Sequence, residues 1–234
     1  MEEIITALSR VRWLFVIARN SSFTYRGRDV DLKQVGEELG VGYVLEGSLR
    51  KAGDRIRITG QLIAASTGAH LWAERFEGQL EDIFELQDEI AASVAGAIAP
   101  RVELAEIERA KSKPTASLNA YDCYLRGISH VHRGTQEAIE KGLALFQRSI
   151  ELDPDFAAAH AMAAWSYFWR KVNGWTEDRA REVAEGERLA RRAVELGRDD
   201  AVALTRSGHA LAHLTRDLDV GIALLDRAVF LNPN

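Results

Sequence analysis

A single cysteine, Cys123, has no partner for a disulfide within the chain and rules out a cysteine-rich metal site. Long apolar runs are missing as well: residues 11–18, bounded by arginines, fall well short of the roughly 20 needed to cross a bilayer. The opening Met1-Glu2-Glu3 is acidic and no small-residue cleavage site follows, so no secretion signal is expected. Positive charge is not in excess: the net charge is −5, with 14 basic and 18 acidic side chains in residues 1–112, and 16 and 17 beyond. No basic face results, which argues against nucleic acid as the main partner. Only four prolines occur, at 100, 114, 154 and 233, and each is a candidate break.

Apolar residues are plentiful, at 47% of 234, enough for one or two real cores. In residues 118–132, Tyr121, Tyr124, Leu125, Ile128 and Val131 recur at the three- and four-residue spacing of a helix with one buried stripe. After Arg133-Gly134-Thr135, where Thr135 can cap a new helix, Ala138, Ile139, Gly142, Leu145, Phe146, Ser149 and Ile150 share a face. So short a turn makes the two helices antiparallel. Asp153-Pro154-Asp155 stops the pair, and Arg198-Asp199-Asp200 and Pro233-Asn234 occupy equivalent places. Ser149-Ile150-Glu151-Leu152, Ala193-Val194-Glu195-Leu196 and Ala228-Val229-Phe230-Leu231 precede the three stops at matching offsets. From Pro154 to Arg198 is 44 residues and from Arg198 to Pro233 is 35, against roughly 34 in a tetratricopeptide repeat.

Here the chain resembles the tetratricopeptide family. Gly127, Ala164 and Gly208 fit the small position of the first helix, and Gly142, Gly186 and Gly221 that of the second. Phe146, Ala190 and Leu225 take the bulky neighbouring slot, with Ala190 the weak member, and Ser149, Ala193 and Ala228 the second small one. Small residues belong where helix backbones approach closely. The resemblance implies three hairpins, about 118–154, 155–198 and 199–234, whose first helices offer a groove to a protein or peptide.

Towards the start, Ile4, Ile5, Leu8 and Val11 predict a short helix, and residues 13–18 read as a strand buried on both faces. Asn20-Ser21-Ser22 reads as a loop. Asp31 with Gln34 resembles a capping box for a helix striped by Leu32, Val35 and Leu39 and ended by Gly40. Strands are expected at 43–50, 55–64 and about 70–76, the first two joined by a turn at Ala52-Gly53-Asp54. That order reads as an α/β layer. From Glu81 onwards Ile83, Leu86, Ile90, Val94 and Ile98 mark a long helix, with Glu81 and Asp82 near its positive end and Pro100 placed to kink or stop it. Residues 101–111 look helical, and Lys113-Pro114-Thr115 is the expected domain boundary.

The segments 2–9, 16–23, 39–48 and 68–73 resemble the TolB amino-terminal-like domain found before tetratricopeptide repeats in bacterial signalling proteins. In that family the unit commonly follows a class III adenylate or guanylate cyclase domain or a winged-helix DNA-binding domain. The family normally opens with a further strand and a Gly/Asp-rich loop, and here nothing precedes Met1. The implied sheet lacks that strand and exposes an edge suited to pairing with a second copy.

Several groups were weighed as chemistry. His130 and His132 point apart; His209 and His213, four apart, share a helix face and could hold a metal given a third ligand, although packing is the more ordinary role. Glu85, Asp88 and Glu89 suit a solvated helix face, and Lys51, Arg55 and Arg57 a wet sheet face that could meet phosphate or an acidic partner. Cys123 sits in a packed helix, where a thiol is inert. Gly40 and Gly42 precede a strand instead of opening a helix, so no phosphate loop forms. The extra length of the second repeat falls in residues 169–178, where Trp175 either folds back over the core with Trp165 and Trp169 or anchors a partner beside Arg170.

The expected fold class is α+β/α: an N-terminal α/β sheet domain over 1–112, lacking its usual first strand, followed over 115–234 by an all-α tetratricopeptide-type hairpin array. No enzyme activity, catalytic residue, cofactor or metal is expected. Partner binding falls to Arg126, His160, Arg170, Trp175, Arg206 and His209, with Asp122 beside them. The alternatives are a C-terminal regulatory fragment of a class III cyclase and the sensor of a winged-helix regulator. The cytoplasm is the expected compartment, or the periplasm if a membrane span lies upstream.

Overall fold

The computed structural model describes residues 2–11, 13–25, 27, 30–79, 83–114 and 118–233. They divide into two compact units, the first ending at Leu104 and the second running from Ala105 to Pro233.

The first unit opens with helix α1 (Glu2–Ser9), which buries Leu8, and continues through α2 (Arg19–Phe23) and α3 (Leu32–Leu39) to three strands, β1 (Tyr43–Ala52), β2 (Arg55–Ala64) and β3 (His70–Gln79). The strands form one antiparallel meander in the order β1-β2-β3, with Ala52 opposite Arg55 and Ile58 opposite Phe76. A turn this tight needs a residue in the left-handed region, and Gly53 supplies it at φ 60. Period-two alternation puts Ile56, Ile58 and Leu62 on one face, where Ile58 and Leu62 pack with Trp72 against Leu86, Ile90, Val94 and Ile98 of helix α4 (Ile83–Ser112). Arg50, Arg57 and Glu77 line the other, where Arg57 and Arg75 both pair with Glu77.

Several expectations for this unit are corrected. Residues 14–18 form no strand; Trp13, Leu14 and Val16 pack half-buried on the sheet–helix core while Phe15 is 82% exposed. An apolar run becomes a strand only when a neighbouring strand takes up its backbone groups. The expected loop at Asn20-Ser21-Ser22 is α2, whose Ser22 hydroxyl donates to the Arg19 carbonyl. A wholly antiparallel sheet makes the unit α+β, not an α/β layer. Asp31 does cap α3, accepting from the Lys33 N–H, but Gln34 donates to Glu38, so the reciprocal half of the box is not made. Pro100 does not end α4. It removes one N–H from the helix at a point where Pro100 and Gly96 are both exposed, so the orphaned carbonyl lies on the solvent side. The expected roles of Glu81 and Asp82 fall outside the described residues, as does Thr115.

In the second unit six helices follow: α5 (Ala120–Val131), α6 (Gln136–Leu152), α7 (Ala157–Val172), α8 (Arg179–Leu196), α9 (Ala201–Leu214) and α10 (Leu218–Leu231). Each start but one has a side-chain cap: Asn119, with Asp122, in a full capping box, then Thr135, Asp178, Asp200 and Asp217. Consecutive helices pair as α5/α6, α7/α8 and α9/α10, and the pairs stack through α6 on α7, α7 on α9 and α8 on α9. The core between them holds Phe146, Ile139, Leu125, Met162, Leu189 and Leu211, joined by Ile107 and Ala110 from the end of α4. Residues 169–172, expected to begin an insertion, instead prolong α7, which leaves 173–178 as the connection. No described helix is long and apolar enough to cross a membrane.

Candidate functional site

The stacking of α7 on α9 assembles a cluster of ring side chains. On α7, Trp165 lies one helical turn before Phe168 and Trp169, with ring centroids 5.4 Å apart for the two tryptophans and 6.1 Å for Phe168 and Trp169. On α9, Arg206, His209 and His213 follow one another at three- and four-residue spacing and share a face. Phe168 lies 4.7 Å from each histidine ring, the histidines meet edge-to-face at 5.0 Å, and the Arg206 guanidinium stands 5.1 Å above the Trp165 ring. Arg206 makes no ion pair with any described residue. Phe168 is the buried floor; Trp165, Trp169, Arg206 and His209 are half-buried, and His213 is exposed. Aromatic faces and one unneutralised guanidinium suit a ligand that carries an apolar group next to a carboxylate. Among the described residues no group of three His, Cys, Asp or Glu side chains could hold a metal.

Burial first, then the neighbouring His213 and Arg206, hold the His209 imidazole below its ordinary pKa. Burial likewise lowers His130, with Arg133, Lys141 and Lys111 adding to it, and the His130 Nδ1 is enclosed without a hydrogen bond. For a base whose folded pKa lies below its unfolded one, the unfolded chain binds the proton first as pH falls. Stability should therefore hold on the alkaline side and decline once pH drops through the ordinary imidazole value of about 6.5, levelling off below the folded value. Urea midpoints measured from about pH 8 to pH 5 should show that decline, less steep in His209→Gln. A midpoint that rises on acidification contradicts this assignment.

The other candidate residues stand elsewhere. Arg126 of α5 is spent on the end of α4: its Nε donates to the Ala110 carbonyl at 3.0 Å, and its Nη2 to those of Lys111 and Lys113. Such donors satisfy carbonyls that a helix end leaves open. Asp122 is fully buried beside it, accepting from Lys113 at 2.7 Å and from the Asn119 N–H. Burial pushes its carboxyl up, but the hydrogen bonds from Lys113 and Asn119 and the charges of Lys113 and Arg109 together bring it below the usual range. His160 is 4% exposed, with Nε2 against the Pro154 carbonyl. Arg170 is 8% exposed and bridges three helices, reaching Glu182 of α8 through Nε at 2.7 Å and Nη2 at 3.0 Å, and Glu140 of α6 through Nη1 at 3.1 Å. Trp175 packs half-buried on the core, and its backbone N–H donates to the Arg170 carbonyl.

Of the six residues singled out for partner binding, the cluster thus contains Arg206 and His209, while Arg126, His160 and Arg170 hold the array together. Phe168, Trp165, Trp169 and His213 complete the cluster; their three- and four-residue spacing was the available signal.

No protein-family model matches the sequence. The chain is 40% identical over 194 residues to a protein of Rhizobium meliloti (strain 1021) named "Putative adenylate cyclase 3"; the match takes in 83% of this chain and 33% of that protein. The chain therefore spans about a third of the relative's length.

Proposed function

We propose that the chain is a non-catalytic interaction and regulatory module of a bacterial signalling protein: a TolB amino-terminal-like unit followed by three tetratricopeptide hairpins that hold a protein or peptide. The observation that carries this reading is Arg206, stacked on Trp165 with no carboxylate partner among the described residues, in the aromatic cluster between the first helices of the second and third hairpins. The repeat-matched small residues support the tetratricopeptide reading. Gly127 and Gly142 sit where α5 and α6 cross, and Gly208 and Gly221 where α9 and α10 cross, each too close to the opposite helix to carry a Cβ without a shift. The partner is recognised by an apolar or aromatic side chain over Trp165 and Trp169 and by an acidic group on Arg206.

The relative's name favours a place beside a nucleotide cyclase; the role proposed for this chain there is regulation, not turnover. Two measurements test the pair of ideas. Purified chain with ATP or GTP and a divalent metal should yield no cyclic nucleotide, and its formation overturns the non-catalytic assignment. On a peptide array, sequences combining an aromatic residue with Asp or Glu should bind wild type, and Arg206→Ala and Trp165→Ala should each weaken binding about tenfold or more. Equal binding by both variants removes the cluster from the proposal.

A further inference from the structure

Helices α7 and α9 carry no Asp or Glu, and at the ends where their chains leave them positive charge stands unanswered. Lys171, in the last turn of α7, donates through Nζ to the carbonyls of His213 and Leu214, the second at 3.0 Å, which pins it to the end of α9. Arg216 follows two residues beyond that end, and Arg179 opens α8. Both act on Lys171: burial first, then the charges of Arg179 and Arg216, hold its ammonium below the ordinary pKa, and no carboxylate opposes them. Among the described residues neither arginine makes a hydrogen bond or an ion pair, whereas Arg188, Arg191 and Arg192 further along α8 each hold a carboxylate. Glu177, Asp178, Asp217 and Asp219 are near in sequence, but none pairs with the three cations. Asp178 and Asp217 instead cap helices, accepting the N–H groups of Arg181 and Val220.

The backbone at Arg216 adds an independent sign. Among the described residues it is the one non-glycine with positive φ, at 63. Aligning the caps Thr135 and Asp217 sets Arg216 in register with Gly134, whose φ is 66. The first hairpin thus makes its left-handed turn with the residue suited to it, while the third places a guanidinium there, with its Cβ crowded against the backbone. Capping does not account for the arginine, because Lys171 meets carbonyls left open at the end of α9 and Arg216 donates to none. Strain of this kind persists where the side chain has a function to serve.

We infer that Lys171, Arg179 and Arg216 form a site for a phosphate dianion, free or as the monoester of a modified side chain. A carboxylate would leave most of the charge of three cations unanswered, whereas a phosphate carries about −1.5 to −2 near pH 7 and offers three strong acceptor oxygens. The two guanidinium groups supply paired donors in the planar fork that phosphate oxygens accept, and Lys171 adds a compact point charge. Elements already present, α7, α8 and the turn after α9, contribute all three side chains, so nothing beyond them is needed to complete the site.

The test is phosphorus NMR of the full chain, titrated at constant ionic strength with inorganic phosphate or with an end-blocked Gly-phosphoserine-Gly peptide. A range from about 0.1 to 20 mM spans the dissociation constant, on the order of 1 mM, expected for one phosphate on three accessible cations. Wild type should give a saturable change in the phosphorus line. Arg179→Gln and Arg216→Gly should each weaken binding about fivefold or more. Arg216→Gly should not lower the thermal midpoint, since glycine adopts this φ without strain, which separates lost binding from lost fold. Arg198→Gln, which removes another exposed arginine without a carboxylate among the described residues, should bind as wild type does. Tighter binding of the peptide identifies a phosphorylated side chain as the ligand; equal or tighter binding of inorganic phosphate identifies the free ion. A line unchanged over the whole range overturns the inference. So does undiminished affinity in both Arg179→Gln and Arg216→Gly, which leaves only general attraction to a positive surface. Arg206→Ala should leave phosphate affinity unchanged, so this site and the peptide-binding proposal fail separately.

Discussion

Replacing Arg170 by alanine is expected to lower the free energy of unfolding by about 3–5 kcal/mol, the cost of leaving a buried ion without its partner. Its guanidinium ties α6, α7 and α8 together through side chains of opposite charge, and Glu182 also accepts the Glu177 N–H that shapes the connection after α7. The Arg170 hydrogen bonds hold the Glu182 carboxyl below its ordinary pKa against the opposing effect of burial. Without Arg170 only burial remains, together with the backbone donors. The penalty arises from the stranded carboxylate, so the double variant Arg170→Met/Glu182→Leu should recover more than half of it. Urea unfolding of the two single variants and the double variant measures this. A loss below about 1 kcal/mol in Arg170→Ala would place the cluster among solvent-screened surface pairs. The depressed Glu182 pKa adds a sign: its contribution is present above the ordinary carboxylate range and fades as pH falls below about 4. The acid limb of the stability profile should therefore be shallower in the double variant than in wild type.

The second large effect is expected at Gly127. Alanine is the better helix former by about 1 kcal/mol, yet Gly127→Ala should destabilise by about 1–3 kcal/mol because the site is overpacked. A Cβ there would stand 2.8 Å from Cδ1 and 2.9 Å from Cζ of Phe146, a ring with no exposed surface and no room to retreat. Across the same crossing, a Cβ on Gly142 would meet Val131 Cγ1 at 2.5 Å and the Gly127 carbonyl at 3.2 Å, so neither helix can give way. Shortening the obstacle should help: Phe146→Leu costs stability alone but less in the Gly127→Ala background, a coupling of at least about 0.5 kcal/mol. Thermal melts of the cycle decide it. Additive losses would mean that the ring and the new methyl never meet.

How far residue order alone could lead differs between the two units. In the second, amphipathic periodicity and the cap at Thr135 mark helices locally, the caps at Asp178 and Asp217 were not read in advance, and the recurring stops mark the hairpins. Their stacking then follows from the need to bury a stripe on each helix. Residues 13–18 were misread because an apolar run has the same composition whether it pairs as a strand or packs as an irregular segment. Only the partner distinguishes the two, and the partner is remote in sequence. Whether Pro100 stops α4 or only interrupts one hydrogen bond could not be read locally either, since the cost of the missing N–H depends on whether water can reach the freed carbonyl. The candidate site was half legible. Arg126 and His160 do lie on first helices, but their acceptors, the Ala110 and Pro154 carbonyls, belong to preceding segments. Arg206 meets Trp165 only because α9 stacks on α7, a register that neither helix announces by itself.

The environment of Cys123 has a practical consequence. With 2% of its surface exposed and its thiol pushed above the ordinary pKa by burial, the native sulfur is closed to maleimide reagents at neutral pH. A single fluorophore or spin label attached through an introduced surface thiol would then report from one known position, and the wild-type background needs no prior alteration.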